Sequence, residues 1–485
     1  MKEGFMIGRI EEKKYLLSLK NEEEPQFVAV YGRRRVGKTY LIRESFEHSF
    51  TFEHTGVSNS DLDVHSCKAV QLEKFQESLA EFGYTPSEKI TSWNEAFNGL
   101  KEVIKTSKEK KKVIFIDELS WMDTKDSGLI SALESFWNGW ATARKEKDVI
   151  LIVCASATYW IMENIIHAKG GLHNRLTGKV HLKPFNLYEC KQYLESRKII
   201  FSPHQILMCY MILGGVPFYW SLLKKGKSLP QNIDELFFTD GALLADEYDN
   251  LYNALFNKPA QYLKIINVLS QAKNGLTREE IIKKTHIASS GAFSKKLEEL
   301  ENCDFIRKYI PYGKKDSSYI YQLIDNYTLF YHQFLKKNHF EEHFWQNQIN
   351  TPAINSWTGL AFEKVCLEHV PQIKKALGIS GVYTDVNAWQ CSADEKLGIK
   401  GAQIDLMLVR KDQIINICEM KYTESSFSVT NNFIMDMNEK IKSFREKTKT
   451  NHAIHPTLVT THPVAQNEYA ADLQAIITAE DLFTQ

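Results

Sequence analysis

The stretch "VAVYGRRRVGKTYLI", residues 28–42, joins an apolar run to a glycine-containing loop and then to a helical pattern. Residues 32–39 match the phosphate-binding pattern G-x-x-x-x-G-K-[S/T]. Glycines let the loop turn its amide groups toward phosphates, and the following helix adds the positive end of its dipole. Lys38 would reach the β- and γ-phosphates, and the Thr39 hydroxyl would bind Mg²⁺. The stretch therefore predicts a nucleotide site at the end of a buried strand.

A second apolar run, "VIFIDE" at residues 113–118, supplies the acidic partner of this loop. Asp117 at its end would lie near the Mg²⁺, and Glu118 could polarise the attacking water as a general base. The pair follows the loop by about 80 residues, which leaves room for one strand between the two motif strands, as in glutamate-using P-loop ATPases.

Two further residues are candidates for contact with the γ-phosphate. Ser156 ends the run "VILIVCAS" and is either a polar sensor or a strand-end cap. Arg175 is either an arginine finger or sensor, or an arginine of the surface or of domain packing. The residues predicted to contact the nucleotide are Gly32, Arg33, Arg34, Arg35, Val36, Gly37, Lys38, Thr39, Tyr40, Asp117, Ser156 and Arg175.

Composition narrows the class of protein. A chain of 485 residues exceeds a single core, so two to four domains are expected. Lys plus Arg and Asp plus Glu number 60 each, so any DNA contact must come from a local basic patch. The eight cysteines include no CxxC pair, which argues against a zinc site. Because no signal region is visible and the longest apolar run is too short for a bilayer, we expect a cytoplasmic protein without membrane contact.

The order of apolar runs predicts three domains. Strands alternating with helices in the first part predict an α/β fold with a mostly parallel sheet. Residues 1–250 would form the P-loop domain, with a helical lid over about 185–250. Residues 251–348 would form a winged helix, because three helices precede two β runs. Residues 349–485 would form an α/β domain.

The winged helix has a mixed charge pattern. Thr277 and Glu280 have the spacing of a capping box at the start of its second helix. Its third helix carries Lys295 and Lys296 beside several glutamates, and its wing tip carries Lys314 and Lys315. The lysines could contact DNA phosphates, but a docking surface for protein is almost as well supported.

The C-terminal part contains the strand "INICEMKY", residues 415–422, in which an apolar run carries charge. Glu419 and Lys421 share one face of the strand, because side chains two apart point the same way. Asp405 lies in the preceding strand, before a turn near residues 411–412. The simplest interpretation is an exposed ion pair at a sheet edge, whereas apolar surroundings favour a cleft in which the charges need partners.

Several motifs together resemble a family of archaeal and bacterial ATPases in the AAA-like, signal-transduction branch of P-loop proteins. They are "FMIGRIEEKKYL", "YGRRRVGKTYLI", "FIDE", "CASATYW", "LKPFNLYEC" and "LGGVPFYW". Members of this family typically combine the ATPase, a winged helix and a C-terminal domain similar to restriction endonucleases. The likeness therefore implies an ATPase followed by a nuclease-like domain.

The resemblance also assigns roles in the C-terminal domain. Asp405, Glu419 and Lys421 look like the D-x(n)-(D/E)-x-K signature of that endonuclease fold. Asp405 and Glu419 would bind Mg²⁺ together with Glu363, the extra acidic residue of the preceding helix, and Lys421 would orient or activate water. Gln403 could donate a hydrogen bond nearby.

We therefore expect a protein that uses ATP and Mg²⁺ and whose nucleotide state controls DNA binding or metal-dependent DNA cleavage. The alternative is a nucleotide-dependent signalling switch, in which the nuclease-like domain is silent and the partners are proteins. Double-stranded DNA and further copies of the chain are the candidate macromolecular partners.

Overall fold

The computed structural model describes residues 6–58, 67–256, 258–314, 318–336, 341–349, 351–395 and 398–485. The chain divides into two compact units. The first comprises Met1–Pro184 with Asn253–Asn257, and the second comprises Phe185–Tyr252 with Lys258–Gln485. The helices expected to form a lid on the first domain thus group with the second unit, and the predicted boundaries at residues 250 and 348 stay predictions.

The first unit is built on a five-stranded sheet in the order β2-β3-β4-β1-β5, and every strand pair in it is parallel. The predicted α/β class and the mostly parallel sheet are confirmed. The elements of this unit are α1 (Ile10–Ser18), β1 (Gln26–Tyr31), α2 (Lys38–Ser45), β2 (Phe52–Thr55), α3 (Cys67–Glu81), α4 (Trp93–Thr106), β3 (Lys112–Asp117), α5 (Leu119–Met122), α6 (Leu129–Phe136), β4 (Val149–Ala155), α7 (Thr158–Ile161) and β5 (Gly178–His181).

Strand β1 shows why the central strands are apolar throughout. Phe27 and Ala29 join the core on one face of the sheet, whereas Val28 and Val30 join the core on the other. Helices cover both faces of the sheet, so successive side chains are buried on opposite faces and neither face needs to be polar. Strand β4, which follows Asp117 in the chain, lies between β1 and β3 in the sheet, whereas β2, the strand in the interval between the two motifs, lies at the edge. Parallel strands end at one edge, and this edge carries the loop after Tyr31 and the acidic end of β3.

The second unit begins with a group of helices, some of which start at side-chain caps. Ser202 and Ser228 each form a capping box with the glutamine three residues later. The helices are α8 (Leu187–Ser196), α9 (Pro203–Leu213), α10 (Pro217–Ser221), α11 (Leu229–Phe237) and α12 (Glu247–Leu255).

The next segment contains three helices and a three-stranded antiparallel sheet in the order β6-β8-β7, followed by two further helices. The capping box of Thr277 and Glu280 and the hairpin are confirmed, whereas the winged-helix assignment stays a prediction. The elements are α13 (Ala260–Ser270), β6 (Leu276–Thr277), α14 (Arg278–Thr285), α15 (Gly291–Asn302), β7 (Ile306–Tyr309), β8 (Ile320–Leu323), α16 (Asn326–Phe330) and α17 (Phe344–Gln348).

The C-terminal part is a mixed sheet in the order β13-β12-β11-β10-β9. Strands β9, β10 and β11 are antiparallel neighbours, whereas β11, β12 and β13 are parallel. Helix α18 packs on β11, and α20 packs on β10. The elements are α18 (Pro352–Glu368), α19 (Val370–Ala376), β9 (Thr384–Cys391), β10 (Ala402–Arg410), β11 (Ile414–Lys421), α20 (Asn431–Thr448), β12 (Ala453–Thr460), β13 (Ala475–Thr478) and α21 (Ala479–Leu482).

Within the described ranges, no helix combines the length and the apolar character needed to cross a lipid bilayer.

Candidate functional site

The loop after β1 has the conformation of a phosphate cradle. Gly32 and Gly37 have positive φ angles of 145° and 91°, and Arg35 has a φ of 69°. A Cβ atom on Gly32 would lie 2.2 Å from the backbone oxygen of Leu182, so no larger residue fits there. Lys38 is buried and donates to the carbonyl oxygens of Gly32 and Arg33 at 3.0 and 3.1 Å. The lysine therefore spans its own loop, where it can exchange carbonyl partners for phosphate oxygens.

The Mg²⁺ ligands expected beside this loop are in contact with each other. The Thr39 hydroxyl donates to Oδ2 of Asp117 at 2.6 Å, across from α2 to the end of β3. Asp117 is buried, and its Oδ1 accepts from the Glu118 amide at 2.9 Å. A hydroxyl and a carboxylate are oxygen donors of the kind that Mg²⁺ takes beside nucleotide phosphates. The residues present thus fit a Mg²⁺ ion that accompanies a nucleotide.

The Glu118 carboxylate is held by Ser156. Its Oε2 accepts from the Ser156 amide at 3.0 Å, and its Oε1 accepts from the Ser156 hydroxyl. Glu118 itself has a left-handed backbone with φ 49° and ψ 42°, a conformation that is uncommon for a residue other than glycine. The end of β4 therefore positions the candidate base, which links Ser156 to Glu118 directly.

Cys154 lies beneath the same carboxylates. The thiol is fully buried, and burial together with the charge of Asp117 raises its pKa well above the usual value. It is therefore a neutral packing residue, as expected from its place in an apolar strand.

Most of the other predicted nucleotide contacts lie on the loop. Arg33 and Val36 are buried, Arg34 and Arg35 are half-buried, and Tyr40 is 53% exposed on α2. The triple arginine is thus part of the loop itself.

Arg175 is placed at the opposite edge of the sheet. It is exposed and precedes β5, whose Gly178 is aligned with Val28 of β1. The Thr177 amide donates to the Phe27 carbonyl near the start of β1, whereas the P-loop follows the end of this strand. The structure therefore does not bring Arg175 to the P-loop of its own chain, and a finger role is left only toward the nucleotide of another copy.

Arg9 is a residue near the P-loop that the sequence reasoning missed. It is buried, and its guanidinium donates to the carbonyl oxygens of Lys183 at 2.6 Å and Val36 at 3.5 Å. It therefore ties the start of the chain to the loop and to the segment after β5. Arg9 lies within the motif "FMIGRIEEKKYL", which by itself does not indicate this contact.

The C-terminal charges converge on one cleft of about 440 Å³, lined among others by Glu363, Gln403, Asp405, Glu419 and Lys421. Leu406 of β10 pairs with Cys418 of β11, so the same register sets Asp405 opposite Glu419. A register irregularity between β9 and β10 falls at this point, and bulges often re-aim side chains beside functional sites. The structure brings the five predicted residues to one cleft.

Lysines neutralise the Glu419 carboxylate. Its oxygens lie 2.6 Å from Nζ of Lys440 and 2.9 Å from Nζ of Lys421. Burial opposes ionisation of Glu419, but the two ammonium groups outweigh it and lower the pKa of the carboxyl. Lys440 comes from α20, about twenty residues beyond the motif, and no sequence pattern pointed to it.

Glu363 of α18 faces a different lysine. Its Oε1 lies 3.1 Å from Nζ of Lys273, and burial together with the charge of Asp405 raises the pKa of its carboxyl. Asp405 in turn accepts a hydrogen bond from the amide of Gln403, which exchanges two hydrogen bonds of 2.8 Å with Asn274. The acidic residues thus share one cleft but have separate partners.

This arrangement does not make a ready metal site. The oxygen atoms suit Mg²⁺, but in the described part of the chain no group of three or more His, Cys, Asp or Glu could hold a metal ion. Glu363, Asp405 and Glu419, which were expected to bind Mg²⁺, are instead engaged by lysines and an amide. The lysines that pair with Glu363 and Glu419 therefore have to move away before these carboxylates can hold the ion.

The predicted wing is attached to the C-terminal sheet. The Tyr312 amide donates to the Ala388 carbonyl at 2.9 Å, and its ring packs 5.3 Å from that of Phe444. A groove of about 1210 Å³ lies between this segment and β9, with Lys314 and Lys447 in its lining. Lys315, the second lysine of the predicted wing tip, lies outside the described residues. The groove shares Gln403 with the acidic cleft, so the two are neighbours.

Two family models match the chain. Residues 6–223 match an ATPase domain found predominantly in Archaea. Residues 327–433 match a domain of archaeal and bacterial proteins of unknown function. The first match covers the P-loop, the Asp117–Glu118 pair and Ser156, and the second covers Glu363, Asp405, Glu419 and Lys421. The chain therefore carries a P-loop ATPase domain and is an ATPase.

Relatives extend over most of the chain. An uncharacterized protein of Methanocaldococcus jannaschii is 24% identical over 395 residues, which are 80% of this chain and 82% of that protein. Among solved structures, a Walker-type ATPase of Pyrococcus abyssi is 16% identical with a TM-score of 0.46, covering 68% of this chain and 96% of its own. The ORC2 protein of Aeropyrum pernix, in ADPNP–ADP complexes, is 12% identical with a TM-score of 0.38, covering 76% and 98%.

Proposed function

Because the chain contains a P-loop ATPase domain, we propose that its nucleotide state controls DNA binding or metal-dependent DNA cleavage by the C-terminal part. The observation that carries the proposal is the convergence of Asp405, Glu419 and Lys421 on one cleft, with Glu363 beside them. Acidic residues and a lysine at neighbouring strand ends are the groups that phosphodiester hydrolysis needs.

In the ATPase domain, the chain's own residues account for binding and hydrolysis. The amides of the loop and the ammonium group of Lys38 receive the phosphates. Asp117 and Thr39 would hold the Mg²⁺, which neutralises charge on the phosphates when bound. Glu118 takes a proton from the attacking water, and Ser156 fixes the direction of its carboxylate.

The contact between Glu118 and Ser156 suggests how nucleotide binding would activate the base for hydrolysis. Both oxygens of Glu118 accept hydrogen bonds from Ser156, which makes the carboxylate a weaker base toward water, although each oxygen keeps a free lone pair. A γ-phosphate near the end of β4 would compete for the Ser156 hydroxyl. Nucleotide binding would thereby free the base.

In the C-terminal cleft, the charges define what substrate can enter. Lys273, Lys400, Lys421 and Lys440 lie in its lining together with five carboxylates, so the cleft is mixed in charge and not uniformly basic. A DNA phosphate that binds the ammonium groups of Lys421 and Lys440 would share them with the Glu419 carboxylate. Binding of DNA thus competes with an internal ion pair.

The second candidate function is a nucleotide-dependent switch with a silent C-terminal domain and protein partners. The pairing of Glu419 with two lysines favours this alternative, because it leaves the carboxylate neutralised without a metal. The attached wing favours it as well, since Tyr312 is engaged within the unit.

The deciding experiment is incubation of the full chain with supercoiled plasmid, ATP and Mg²⁺. We expect nicking or linearisation that needs both ATP and Mg²⁺ and that is lost in Lys421→Ala and Asp405→Ala. Lys449→Ala is the matched control, because Lys449 lies at the far end of α20 with a side chain that is 75% exposed.

If the wild-type protein leaves the plasmid intact, the proposal of DNA cleavage is wrong. If a gel-shift assay then also shows no DNA binding, the signalling switch takes its place. ATP binding is checked separately by calorimetry, where Lys38→Ala should weaken the affinity sharply, since it removes the cation that faces the phosphates.

A further inference from the structure

A third cavity, of about 650 Å³, adjoins the acidic cleft, with which it shares Lys273. Helices α9, α13, α16 and α18 all contribute to its lining, as does the segment that follows α16 up to residue 336. The volume falls in the range of roughly 300–1,000 Å³ that is usual for small-molecule sites. A cavity bounded by several helices admits a compact ligand and not a nucleic-acid strand.

The charged residues in this lining are all basic. Lys273, Lys336 and Lys364 belong to it, and none of the described residues that line it is Asp or Glu. Lys364 is only 6% exposed, and its ammonium group donates a long hydrogen bond of 3.4 Å to the Lys273 carbonyl. The charges of Glu363 and Asp405 act on it from the side of the acidic cleft, whereas the cavity on its other side contains no carboxylate among its described residues.

The other two lysines lie nearer the surface. Lys336 is exposed and donates to the side-chain oxygen of Asn267 at 2.7 Å, and Lys273 is paired with Glu363. Two exposed cations and one buried cation around one cavity suit an anion with several oxygen atoms. Flexible ammonium groups bind phosphate as point charges.

The remaining lining is apolar with some amides. Leu323, Leu329, Trp357 and Leu360 supply hydrocarbon surface, and Asn267, Gln271 and Gln333 supply hydrogen-bonding groups. An apolar wall with a few polar groups is the usual composition of a site for an organic ligand. Inorganic phosphate would leave most of this volume unused.

We propose that this cavity binds a small phosphorylated molecule that carries a ring or another apolar part. The phosphate lies among Lys273, Lys336 and Lys364, and the apolar part contacts the leucines and Trp357. The site is independent of the proposed DNA-directed function, because it needs neither the ATPase site nor cleavage at Asp405 and Glu419.

The probe for this site is pyridoxal 5′-phosphate, which combines a phosphate with a flat ring and an aldehyde. The aldehyde condenses with a neutral lysine amine, forming a C=N bond and releasing water. Borohydride then delivers hydride to that bond and leaves a stable secondary amine. Peptide mass spectrometry locates each modified lysine. Modification of Lys38 in the P-loop is distinguished from modification in the cavity, because Lys38 falls in a different peptide.

We expect at least one lysine among Lys273, Lys336 and Lys364 to be modified about tenfold more than Lys264, equivalent to about 1.4 kcal/mol of preference. Lys264 is the internal control, because it is exposed on α13 and does not line the cavity. Inorganic pyrophosphate should suppress the preferred modification.

Two variants test whether the modification depends on this cavity. Lys364→Met removes the buried cation at similar volume and should remove pyrophosphate protection at the remaining lysines. Leu360→Trp enlarges a side chain that is 37% exposed and lines the cavity, so it should block access without disturbing the buried core. Modification that is even across surface lysines, or that persists unchanged in Leu360→Trp, would overturn the proposal whatever the plasmid assay shows.

Discussion

Gly32 is the residue on which the shape of the P-loop depends most directly. Its φ of 145° is unfavourable for any residue with a side chain, and Leu182 blocks the space where a Cβ would lie. The sequence motif requires glycine for backbone freedom, and the structure adds a second reason, which is contact with the segment after β5.

Gly32→Ala should therefore destabilise the first unit by about 1–3 kcal/mol and also weaken ATP binding. The measurement is thermal unfolding combined with ATP calorimetry. Gly139→Ala is the control, because a Cβ there would meet no atom within 4 Å. Equal behaviour of the two variants would contradict the proposed steric role.

Glu118 is the residue on which hydrolysis depends. Glu118→Gln keeps the shape of the side chain but removes the base, so we expect normal ATP binding and a turnover that is about 10²–10⁴-fold slower. The assay is phosphate release under saturating ATP. Glu102→Gln on the exposed face of α4, where Glu102 pairs only with Lys105, should hydrolyse ATP at the wild-type rate.

A wild-type rate in Glu118→Gln would mean that another group positions the water. Ser156→Ala gives a finer test, since it removes one of the two hydrogen bonds to the carboxylate and keeps the amide contact. We expect an intermediate loss of rate.

At the scale of elements, one histidine joins two helices of the second unit. His369 follows the last turn of α18 and is 1% exposed. Its Nε2 accepts from the Leu187 amide in the first turn of α8 at 3.0 Å, and its Nδ1 lies 2.8 Å from the Val365 carbonyl, to which it donates. Because one ring nitrogen must accept a hydrogen bond, the ring has to be neutral.

Burial lowers the pKa of His369 to about 4, against 6.5 for an ordinary histidine. The unfolded chain therefore binds a proton that the folded chain does not bind, so stability is full above pH 6.5 and is lost as the pH falls toward 4. Between pH 7 and pH 5 the loss from this group is about 2 kcal/mol.

We expect the difference in unfolding free energy between the wild type and His369→Gln to shrink by this amount on acidification. Denaturant titrations at the two pH values measure it. Parallel pH dependence in the two proteins would show that His369 is free to protonate in the folded state.

At the scale of the whole molecule, the chain has two compact units, each with its own buried core. Nucleotide binds in the first unit, so it should stabilise that unit by mass action, by about 2.7 kcal/mol when ADP and Mg²⁺ are present at a hundred times the dissociation constant. For a unit of this size, the shift in melting temperature is roughly 5–10 °C.

Scanning calorimetry should therefore show two transitions, of which ADP with Mg²⁺ raises one. Lys38→Ala is the control and should remove the shift without moving the other transition. A single transition that moves as a whole would show that the two units unfold together.

Local patterns were sufficient for the first unit. The glycines, Lys38 and Thr39 predicted the loop, and the continuous apolar runs predicted the strands, because a parallel sheet covered on both faces needs no polar side chain. The spacing between Thr39 and Asp117 did not determine the strand order, because the strand between β1 and β3 is β4, which follows Asp117 in the chain. In the C-terminal part, the alternation around Glu419 and Lys421 predicted that both face one cleft.

Tertiary structure alone decided which charges meet. Lys440 reaches Glu419 from α20, Lys273 reaches Glu363 from beyond α13, and Ser156 holds both oxygens of Glu118. These partners lie between 21 and 90 residues apart in the chain, and any lysine or serine could have served as well by type. Tertiary structure also decided the place of Arg175. Because β5 runs parallel to β1, the segment before β5 lies beside the start of β1, whereas the P-loop follows its end. Short-range periodicity reports which face of a strand or helix is buried, whereas the identity of a buried charge's partner depends on how distant elements pack.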